Sequence, residues 1–417
     1  MDKLIIPRPL GGKIAAIASK SQAHRLLICA APADTPTSLS CAELSKDIEA
    51  TAACLTALCA DTVYQNSVYR ITPRPPAAAC HCDCGESGST LRFLLPVAAA
   101  LGVKTTFQLH GRLPERPLSP LWEELESHGC KLSRPTADTV LCEGKLTGGA
   151  YHMAGNISSQ FISGLLFALP LTGEASEIML TSPLESADYV RMTLAALRTF
   201  GITVEERETG WHIPAGQQYR SCGSAEVEGD WSNAAFWLTA GAISKAVTVT
   251  GLSPDSPQGD RKIAELLNRF GAEVTWNANA VTVRPGMLHG IDIDARDIPD
   301  LVPPLALAAA CAEGTTRIYG AERLKIKESD RLRSVAGALN SLGAEVDILP
   351  DGLLIHGGKL TGGTVDSQND HRIAMLAAIA SSVCAEPIRL LGAEAVEKSY
   401  PRFWADFDTM QRGGTPQ

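Results

Sequence analysis

One pattern recurs four times along the chain and constrains its fold more than any other feature. Each copy is a helical pattern that ends at a glycine and is followed by a strand, a turn and a second strand. The shared glycines are Gly129, Gly201, Gly271 and Gly343. Their spacing of roughly seventy residues predicts a sizeable α/β module rather than a short solenoid turn. The glycine suits a left-handed helix end, and the alternating apolar residues after it suit a half-buried hairpin.

Ala- and Leu-rich helices with apolar residues on nearly all sides lie between these hairpins. Examples are STLRFLLPVAAALG, SSQFISGLLFALPL, NAAFWLTAGAIS and DLVPPLALAAACAEG. Because a helix of this kind is buried, each module is expected to wrap its strands around a central helix. About six modules fit this length, which predicts two domains of three modules each. The stretches Pro9 to Gly12 and Ala215 to Asp230 are candidate crossovers, and the active site is expected in the cleft between the domains.

The overall charge excludes several classes of partner. The formal net charge is −9 at pH 7. Nucleic acids and acidic membrane surfaces bind basic faces, so we expect neither as a partner. The segment MDKLIIPRPLGG has no long apolar core or cleavage site, and other apolar runs are interrupted before membrane-spanning length. These features predict a cytoplasmic globular protein, and we expect it to be a monomer.

Twelve cysteines raise the question of disulfide bonds or a zinc site. In the run CHCDC, Cys80, Cys82 and Cys84 occupy alternate positions. Alternate residues of a strand lie on one face and do not readily converge on one ion, whereas zinc sites use paired gaps of about two to four residues. Most other cysteines lie in apolar helical segments and are interpreted as reduced packing thiols. We therefore expect no metal site.

Basic residues recur at the starts of predicted helices. The clusters are Ser19-Lys20-Ser21 with Arg25, GESGSTLR at 85–92, Arg112 with Glu115 and Arg116 in GRLPERPL, KESDR at 327–331, and Asn369-Asp370-His371-Arg372. Each cluster alone is also explained by an ordinary helix cap with solvated neighbours. Capping prefers acids and hydroxyls, however, so the recurring cations exceed what capping needs. Helix starts with Lys and Arg favour anions, and we infer a ligand with several negative groups.

The order of the motifs resembles one family. SKSQAHR, GESGSTLR, GRLPERP, SSQF, IPD, KESDR, NDHR and EKSYPRFW look like the motifs of 5-enolpyruvylshikimate-3-phosphate synthases, from Lys20 to Trp404. The resemblance implies the enolpyruvyl transferase fold, an α/β fold of two similar domains. Each domain has three βαβαββ units packed around buried helices, and the active site lies in the interdomain cleft. The N-terminal domain, 13–227, is expected on the shikimate 3-phosphate side, and the C-terminal domain, 1–12 plus 228–417, on the phosphoenolpyruvate side.

The resemblance also implies a reaction. The family transfers the enolpyruvyl group of phosphoenolpyruvate to the 5-hydroxyl of shikimate 3-phosphate and releases phosphate, in the pathway to chorismate and the aromatic amino acids. It uses no metal and no organic cofactor. The chemistry is addition followed by elimination, which needs a positioned acid, a positioned base and cations around phosphate and carboxylate.

Site residues are carried over from the family motifs. Asp300 is expected to take the proton from the 5-hydroxyl, Glu328 to shuttle protons at the methylene carbon, and Lys20 to be a further candidate acid, because neighbouring cations lower the pKa of an ammonium. Phosphoenolpyruvate is expected to bind Lys20, Gly88, Arg116, Gln160, Arg331, Arg372 and Lys398. Shikimate 3-phosphate is expected to bind Lys20, Ser21, Arg25, Ser158, Ser159, Gln160, Ser186, Tyr189, Asp300 and Lys327.

Simpler interpretations exist for several of these residues. Asp300 also suits a helix N-cap, Lys398 a solvated terminal lysine, and Ser186 with Tyr189 a strand-to-helix turn and core packing. Glu86 departs from the Asn that many family members carry, and we expect it to pair with Arg92 or another cation.

Two rival functions are open from the sequence. A sister enzyme transfers enolpyruvate to UDP-N-acetylglucosamine, but its family places a Cys in the loop that here reads HGRLPERPLSP. A non-catalytic anion-binding scaffold would retain the cations without turnover, and the retention of Asp300 and Glu328 argues against it.

Overall fold

A computed structural model describes residues 1–413. Within these residues the chain folds into two compact units. Unit 1 comprises Met1–Ile17 and the chain from Glu228 onward, and unit 2 comprises Ala18–Val227. The sequence prediction had placed residues 13–17 with the N-terminal domain. They belong instead to unit 1, because the strand Gly12–Ala15 pairs in parallel with Val247–Thr250.

The described residues form α-helices joined by strands and short 3-10 turns. The helices are α1 Lys20–Ala30, α2 Lys46–Leu58, α3 Gly88–Leu101, α4 Leu121–Ser127, α5 Ser159–Thr172, α6 Ala187–Thr199, α7 Trp231–Ile243, α8 Lys262–Phe270, α9 Val302–Ala310, α10 Arg331–Ser341, α11 His371–Ala380 and α12 Phe403–Gln411. The 3-10 turns are Leu113–Glu115, Gly259–Arg261, Pro299–Leu301, Glu322–Ile326 and Ala393–Lys398.

The strands of residues 1–413 are short and fall into six sheets. They are β1 Lys3–Ile5, β2 Gly12–Ala15, β3 Thr37–Ser40, β4 Ala60–Gln65, β5 Val68–Pro73, β6 Ala79–Asp83, β7 Lys104–Gln108, β8 Cys130–Ser133, β9 Thr139–Gly144, β10 Ala150–Met153, β11 Ser176–Leu180, β12 Glu205–Arg207, β13 Gly210–Ile213, β14 Ser224–Glu226, β15 Val247–Thr250, β16 Glu273–Asn277, β17 Ala280–Arg284, β18 Asp292–Asp294, β19 Thr315–Tyr319, β20 Glu345–Leu349, β21 Gly352–His356, β22 Gly363–Asp366 and β23 Ile388–Leu391.

Five of the six sheets in the described residues repeat one four-stranded topology, and the sixth, β1-β23-β22, has three strands. In unit 2 the strand orders are β6-β7-β9-β8, β10-β11-β13-β12 and β14-β3-β5-β4, and in unit 1 they are β16-β17-β15-β2, β18-β19-β21-β20 and β1-β23-β22. In β6-β7-β9-β8 the first pair is parallel, with Cys82 opposite Phe107, and the other pairs are antiparallel. This is the pattern that a βαβαββ unit produces, since a parallel pair needs a helical crossover and an antiparallel pair needs only a turn.

The apolar helices form the core of each unit, as their composition predicted. In α5 every residue from Phe161 to Pro170 is buried, and α9 is buried along its whole length. Burial of each large apolar side chain contributes about 1.5–3 kcal/mol. The helices α3 and α5 cross closely at Gly164, where an added Cβ would collide with the backbone oxygen of Arg92. The four repeat glycines all have positive φ, which confirms the predicted left-handed helix ends.

The twelve cysteines are free thiols, and most are buried. Burial raises the pKa of the thiols of Cys59 and Cys311 to about 12, which keeps both protonated at neutral pH. No helix within residues 1–413 is long and apolar enough to cross a membrane.

Candidate active site

Four of the five predicted basic clusters begin α-helices, and each of these four helices also has a capping side chain. The fifth cluster, Arg112 with Glu115 and Arg116, forms the short 3-10 turn Leu113–Glu115 without a side-chain cap, so the prediction of a helix start was wrong there. Ser19 caps α1, Ser87 caps α3 and Ser158 caps α5, each by accepting a backbone N–H. Asp330 and Asp370 cap α10 and α11 in the same way. Capping and anion binding therefore use different residues of one turn, and the cations remain in excess of what the caps require.

Arg331 is the centre of the cluster in unit 1. Its side chain is 1% exposed and contacts three carboxylates. Nη1 donates to Asp300 Oδ1 at 2.7 Å, Nη2 to Glu328 Oε2 at 2.8 Å, and Nε to Asp370 Oδ2 at 2.8 Å. Because a guanidinium has a rigid fork of donors, these bonds fix the two candidate catalytic carboxylates, Asp300 and Glu328, in one orientation.

Arg372 and Lys327 lie around the same carboxylates. Arg372 Nη2 pairs with Asp300 Oδ2 at 3.1 Å. Burial disfavours the ionised carboxylate of Asp300, but Arg372, Lys327 and Arg331 outweigh it and hold the pKa well below its usual range. Asp300 is therefore ionised at neutral pH, which is the state that accepts a proton. Burial lowers the pKa of Lys327 to about 8, although the negative charge of Asp300 acts to raise it.

The alternative interpretation of Asp300 as a helix cap is not what the structure shows. Asp300 lies in the turn Pro299–Leu301, and Leu301 occupies the position before α9. Lys398 is not a solvated terminal lysine either. It is half-buried, and its Nζ donates to the backbone oxygen of Asn369 at 2.7 Å, which ties it to the turn that carries Arg372.

Arg25 organises the cluster in unit 2. It is 2% exposed and uses all three nitrogens within the unit. Nε donates to Thr193 Oγ1 at 2.9 Å, and Nη1 and Nη2 donate to the backbone oxygens of Ser21 and Tyr189. These bonds join the start of α1 to α6. Burial lowers the pKa of Arg25 to about 10, which still leaves it charged at neutral pH.

Gln160 is held by two neighbours on α3. Its Oε1 accepts from Arg92 Nη1 at 2.7 Å, and its Nε2 donates to Ser89 Oγ at 2.9 Å. Ser158 Oγ accepts from the backbone N–H of Gln160, and Ser159 is buried beside it at the start of α5. The SSQ motif and the Gly-rich turn therefore form one polar surface.

Gly88 and Arg116 are in direct contact. A Cβ added at Gly88 would lie 2.8 Å from Nη1 of Arg116, so the guanidinium lies where a side chain at position 88 would be. Ser186 is buried and has φ of 55°, immediately before α6, where Tyr189 lies. The sequence-predicted residues of unit 2 thus lie in the first two turns of α1, α3, α5 and α6 or just before them, except Arg116, which follows the 3-10 turn Leu113–Glu115.

Known proteins resemble this chain over nearly its whole length. The sequence profile of EPSP synthase (3-phosphoshikimate 1-carboxyvinyltransferase) matches residues 5–407. A 3-phosphoshikimate 1-carboxyvinyltransferase of Clostridium kluyveri is 42% identical over 410 residues, covering 97% of this chain and 96% of that protein. The chain belongs to the EPSP synthase family. A relative with the same name from Clostridium acetobutylicum is 41% identical over 418 residues, covering 98% of this chain and 97% of that protein.

Solved structures agree with the family assignment. An EPSP synthase from Acinetobacter baumannii superposes with a TM-score of 0.81 at 26% identity, covering 99% of this chain and 98% of that one. An enolpyruvyl transferase from Streptomyces tendae has a TM-score of 0.76 at 18% identity, covering 98% and 97%, and so shows the fold alone. The predicted family, fold class and transferase assignment are confirmed.

Several partners of the EPSP synthase motifs were missed from the sequence. Asp47 pairs with Lys20 Nζ at 2.9 Å, so Lys20 lies beside a carboxylate, whereas the sequence suggested only neighbouring cations. Asp370 was seen as a cap, and its second role as a partner of Arg331 was not. Thr193 was not singled out at all. The only sequence signal for Thr193 was a hydroxyl residue between apolar residues of a predicted helix. Many threonines share this pattern without any functional role, so it does not identify a site residue.

The unusual Glu86 of this EPSP synthase family member lies against Gly111. A Cβ added at Gly111 would lie 2.5 Å from the carboxyl carbon of Glu86. Arg92, the expected partner of Glu86, donates to Gln160 and to the backbone oxygen of Pro117. The pairing of Glu86 with Arg92 stays a prediction. Within residues 1–413, no group of three or more His, Cys, Asp or Glu side chains is arranged to hold a metal ion.

Proposed function

We propose that the chain transfers the enolpyruvyl group of phosphoenolpyruvate to the 5-hydroxyl of shikimate 3-phosphate and releases phosphate. The observation that carries this proposal is the Arg331 cluster. There Asp300 and Glu328 are fixed on one buried guanidinium, beside Arg372 and Lys327. Membership of the EPSP synthase family and relatives named 3-phosphoshikimate 1-carboxyvinyltransferase support the same reaction.

The reaction begins with proton transfer to the methylene carbon of phosphoenolpyruvate, which leaves a cationic carbon. The 5-hydroxyl attacks that carbon while Asp300 takes the hydroxyl proton. Loss of phosphate and of a proton from the new methyl group then restores the carbon–carbon double bond and gives the enolpyruvyl ether. The ionised state of Asp300 supports its role as base, and a carboxyl that both gives and takes a proton suits Glu328.

The ligand assignment follows charge and chemistry. Phosphoenolpyruvate carries a phosphate and a carboxylate, and the cations assigned to these two groups are Lys20, Arg116, Arg331, Arg372 and Lys398. The residues assigned to shikimate 3-phosphate are Ser21, Arg25, Ser158, Ser159, Gln160, Ser186, Tyr189, Asp300 and Lys327. The Gly88 contact with Arg116 supports a role of that turn in shaping the phosphoenolpyruvate site.

Each guanidinium in these clusters already has protein partners, which supports preorganisation. Arg331 is held by three carboxylates, and Arg25 is held by three hydrogen bonds that it donates within the protein. Groups held this way need little reorganisation at the moment of reaction, and preorganised charge is the largest contribution to many enzymatic rates. A cytoplasmic monomer remains our expectation, and light scattering of the purified chain tests the oligomeric state.

Conservative variants test the roles of the two carboxylates. Glu328→Gln is expected to bind both ligands with affinities within about threefold of the wild type but to lose at least about a hundredfold in kcat. Asp300→Asn is expected to lose a similar factor, with the loss greatest at low pH, where the weaker remaining bases are protonated. A Glu328→Gln variant that binds both ligands and turns over normally removes Glu328 from the mechanism.

A further inference from the structure

Asp260 is a buried carboxyl that the proposed mechanism does not use. It lies in the turn Gly259–Arg261 of unit 1 and is 3% exposed. Its Oδ2 accepts a hydrogen bond from Ser232 Oγ, and its Oδ1 has no hydrogen-bond partner within residues 1–413. A buried carboxylate oxygen without a donor disfavours the charged form. The geometry therefore suits a carboxyl that keeps its proton.

Ser232 connects Asp260 to the anion-binding cluster. Ser232 lies in the first turn of α7, and its backbone oxygen accepts from Arg372 Nη1 at 3.5 Å. The other terminal nitrogen of Arg372 pairs with Asp300 at 3.1 Å. The path from Asp260 to Asp300 thus runs through one serine and one guanidinium.

A second residue of the segment that carries Asp260, Gln258, also forms hydrogen bonds to the start of α7. Gln258 Oε1 accepts from the backbone N–H of Trp231 at 3.1 Å, and Gln258 Nε2 donates to the backbone oxygen of Gly229 at 2.8 Å. Gln258 and Asp260 together fix the turn whose carbonyl contacts Arg372. This turn was not among the functional motifs of the sequence.

Charged groups from three other segments face Asp260. Asp230 precedes α7, Asp300 lies before α9, and Arg372 lies on α11. Burial and the charge of Asp300 raise the pKa of Asp260 to about 7, with Arg372 acting in the opposite direction. Asp260 therefore keeps its proton to a higher pH than an exposed carboxyl does, and a change of charge at Arg372 or Asp300 changes its protonation.

We propose that Asp260 is a positioning residue for Arg372, and that it holds a proton while the substrate anion lies on that guanidinium. In the neutral state Asp260 fixes Ser232 and leaves the positive field of Arg372 undiminished. Loss of the proton adds a negative charge that competes with the anion. The inference rests on the proposed binding of phosphoenolpyruvate by Arg372, and it adds proton uptake as a control of that binding.

Asp260→Asn tests the proposal, because it keeps the shape and the acceptor for Ser232 but has no proton to lose. In the wild type, the KM for phosphoenolpyruvate is expected to rise about tenfold between pH 6 and pH 8.5 through this group, which is about 1.4 kcal/mol. Asp260→Asn is expected to lack this rise while its kcat stays within about twofold. The matched control is Asp255→Asn, an exposed residue of the same loop, which is expected to keep the wild-type pH profile.

Ser232→Ala provides a second variant that keeps the carboxyl and removes its hydroxyl donor. Since that hydrogen bond favours ionisation of Asp260, its loss is expected to move the rise in KM to higher pH. A KM profile that is identical in the wild type, Asp260→Asn and Ser232→Ala overturns the proposal, and so does a rise that persists in Asp260→Asn.

A measurement without substrate separates this proposal from the proposed function. The folded state raises the pKa of Asp260, so its contribution to stability is present below the unfolded pKa and is lost as pH rises through about 7. The urea midpoint of the wild type is therefore expected to fall relative to Asp260→Asn between pH 5 and pH 8. If the urea midpoints of the wild type and Asp260→Asn change with pH in parallel, Asp260 does not hold a buried proton and the proposal is wrong. A wild type without any turnover overturns the proposed function, whatever the midpoints show.

Discussion

Removal of the charge of Arg331 should destabilise unit 1 strongly. Arg331→Met keeps much of the side-chain volume but leaves Asp300, Glu328 and the fully buried Asp370 without their shared cation. Breaking a buried ion pair by removing one partner costs about 3–5 kcal/mol, because an uncompensated charge stays buried. With three carboxylates on one guanidinium, we expect the upper half of this range at pH 8.

The loss should depend on pH in a direction that the structure fixes. Burial opposes ionisation of Asp370, but Arg331 lowers its pKa below the usual value. In the wild type, the stability that ionised Asp370 contributes is present above the pKa of about 3.9 that an Asp has in the unfolded chain. It is lost only as pH falls through the lower pKa of the folded state. In Arg331→Met the carboxylates take up protons at higher pH, so the difference in stability should narrow as pH falls from 8 to 5.

Urea unfolding followed by tryptophan fluorescence measures the effect, since Trp231 and Trp237 are buried in unit 1. The matched control is Arg333→Met on the same helix, whose side chain is 79% exposed and pairs with Asp330 at 3.4 Å. Surface substitutions of this kind change stability by about 0.5 kcal/mol or less. A loss in Arg331→Met no larger than in Arg333→Met, or one that does not vary with pH, would refute the reasoning.

Further predictions concern the ligand sites. Gly88→Ala places a Cβ 2.8 Å from Arg116 Nη1 and should raise the KM for phosphoenolpyruvate at least about tenfold, whereas Gly337→Ala, which meets open space, should leave initial rates unchanged. Arg25→Lys keeps the charge but not all three donations, and the KM for shikimate 3-phosphate should rise about 10- to 100-fold. With a pKa of about 8, Lys327 is charged below that pH and neutral above it. The affinity for shikimate 3-phosphate, measured by calorimetry, should therefore fall from pH 7 to 9.5 in the wild type and should stay level in Lys327→Arg. The same pH dependence in both proteins would contradict the assignment of Lys327 to this ligand.

The sequence allowed prediction of what is decided locally. The repeat glycines, the buried helices and the helix starts at Lys20, Gly88, Arg331 and His371 depend on propensity, periodicity and capping within a few residues. The strand at residues 12–15 shows the limit of such patterns. Its partner β15 is more than two hundred residues away, and short strands do not specify a distant partner.

The side-chain partners in the site were beyond sequence reasoning for the same reason. Lys20 meets Asp47 across α1 and α2, Arg331 meets Asp370 across α10 and α11, and Ser232 meets Asp260 across α7 and the turn before α8. Each of the three carboxylates has a sufficient local explanation, Asp370 as a cap and Asp47 and Asp260 as first-turn acids. Which carboxylate faces which cation depends on the packing of helices, and this decides which groups are ionised.

The most direct test of the central claim is detection of the transferred group itself. Purified chain, phosphoenolpyruvate and shikimate 3-phosphate are combined, and phosphate release and the organic product are followed together by phosphorus NMR and mass spectrometry, with UDP-N-acetylglucosamine as the parallel acceptor. We predict one phosphate released for each enolpyruvyl ether formed on shikimate 3-phosphate, and no product with the UDP-sugar. Product only with the UDP-sugar, or with neither acceptor, would contradict the account.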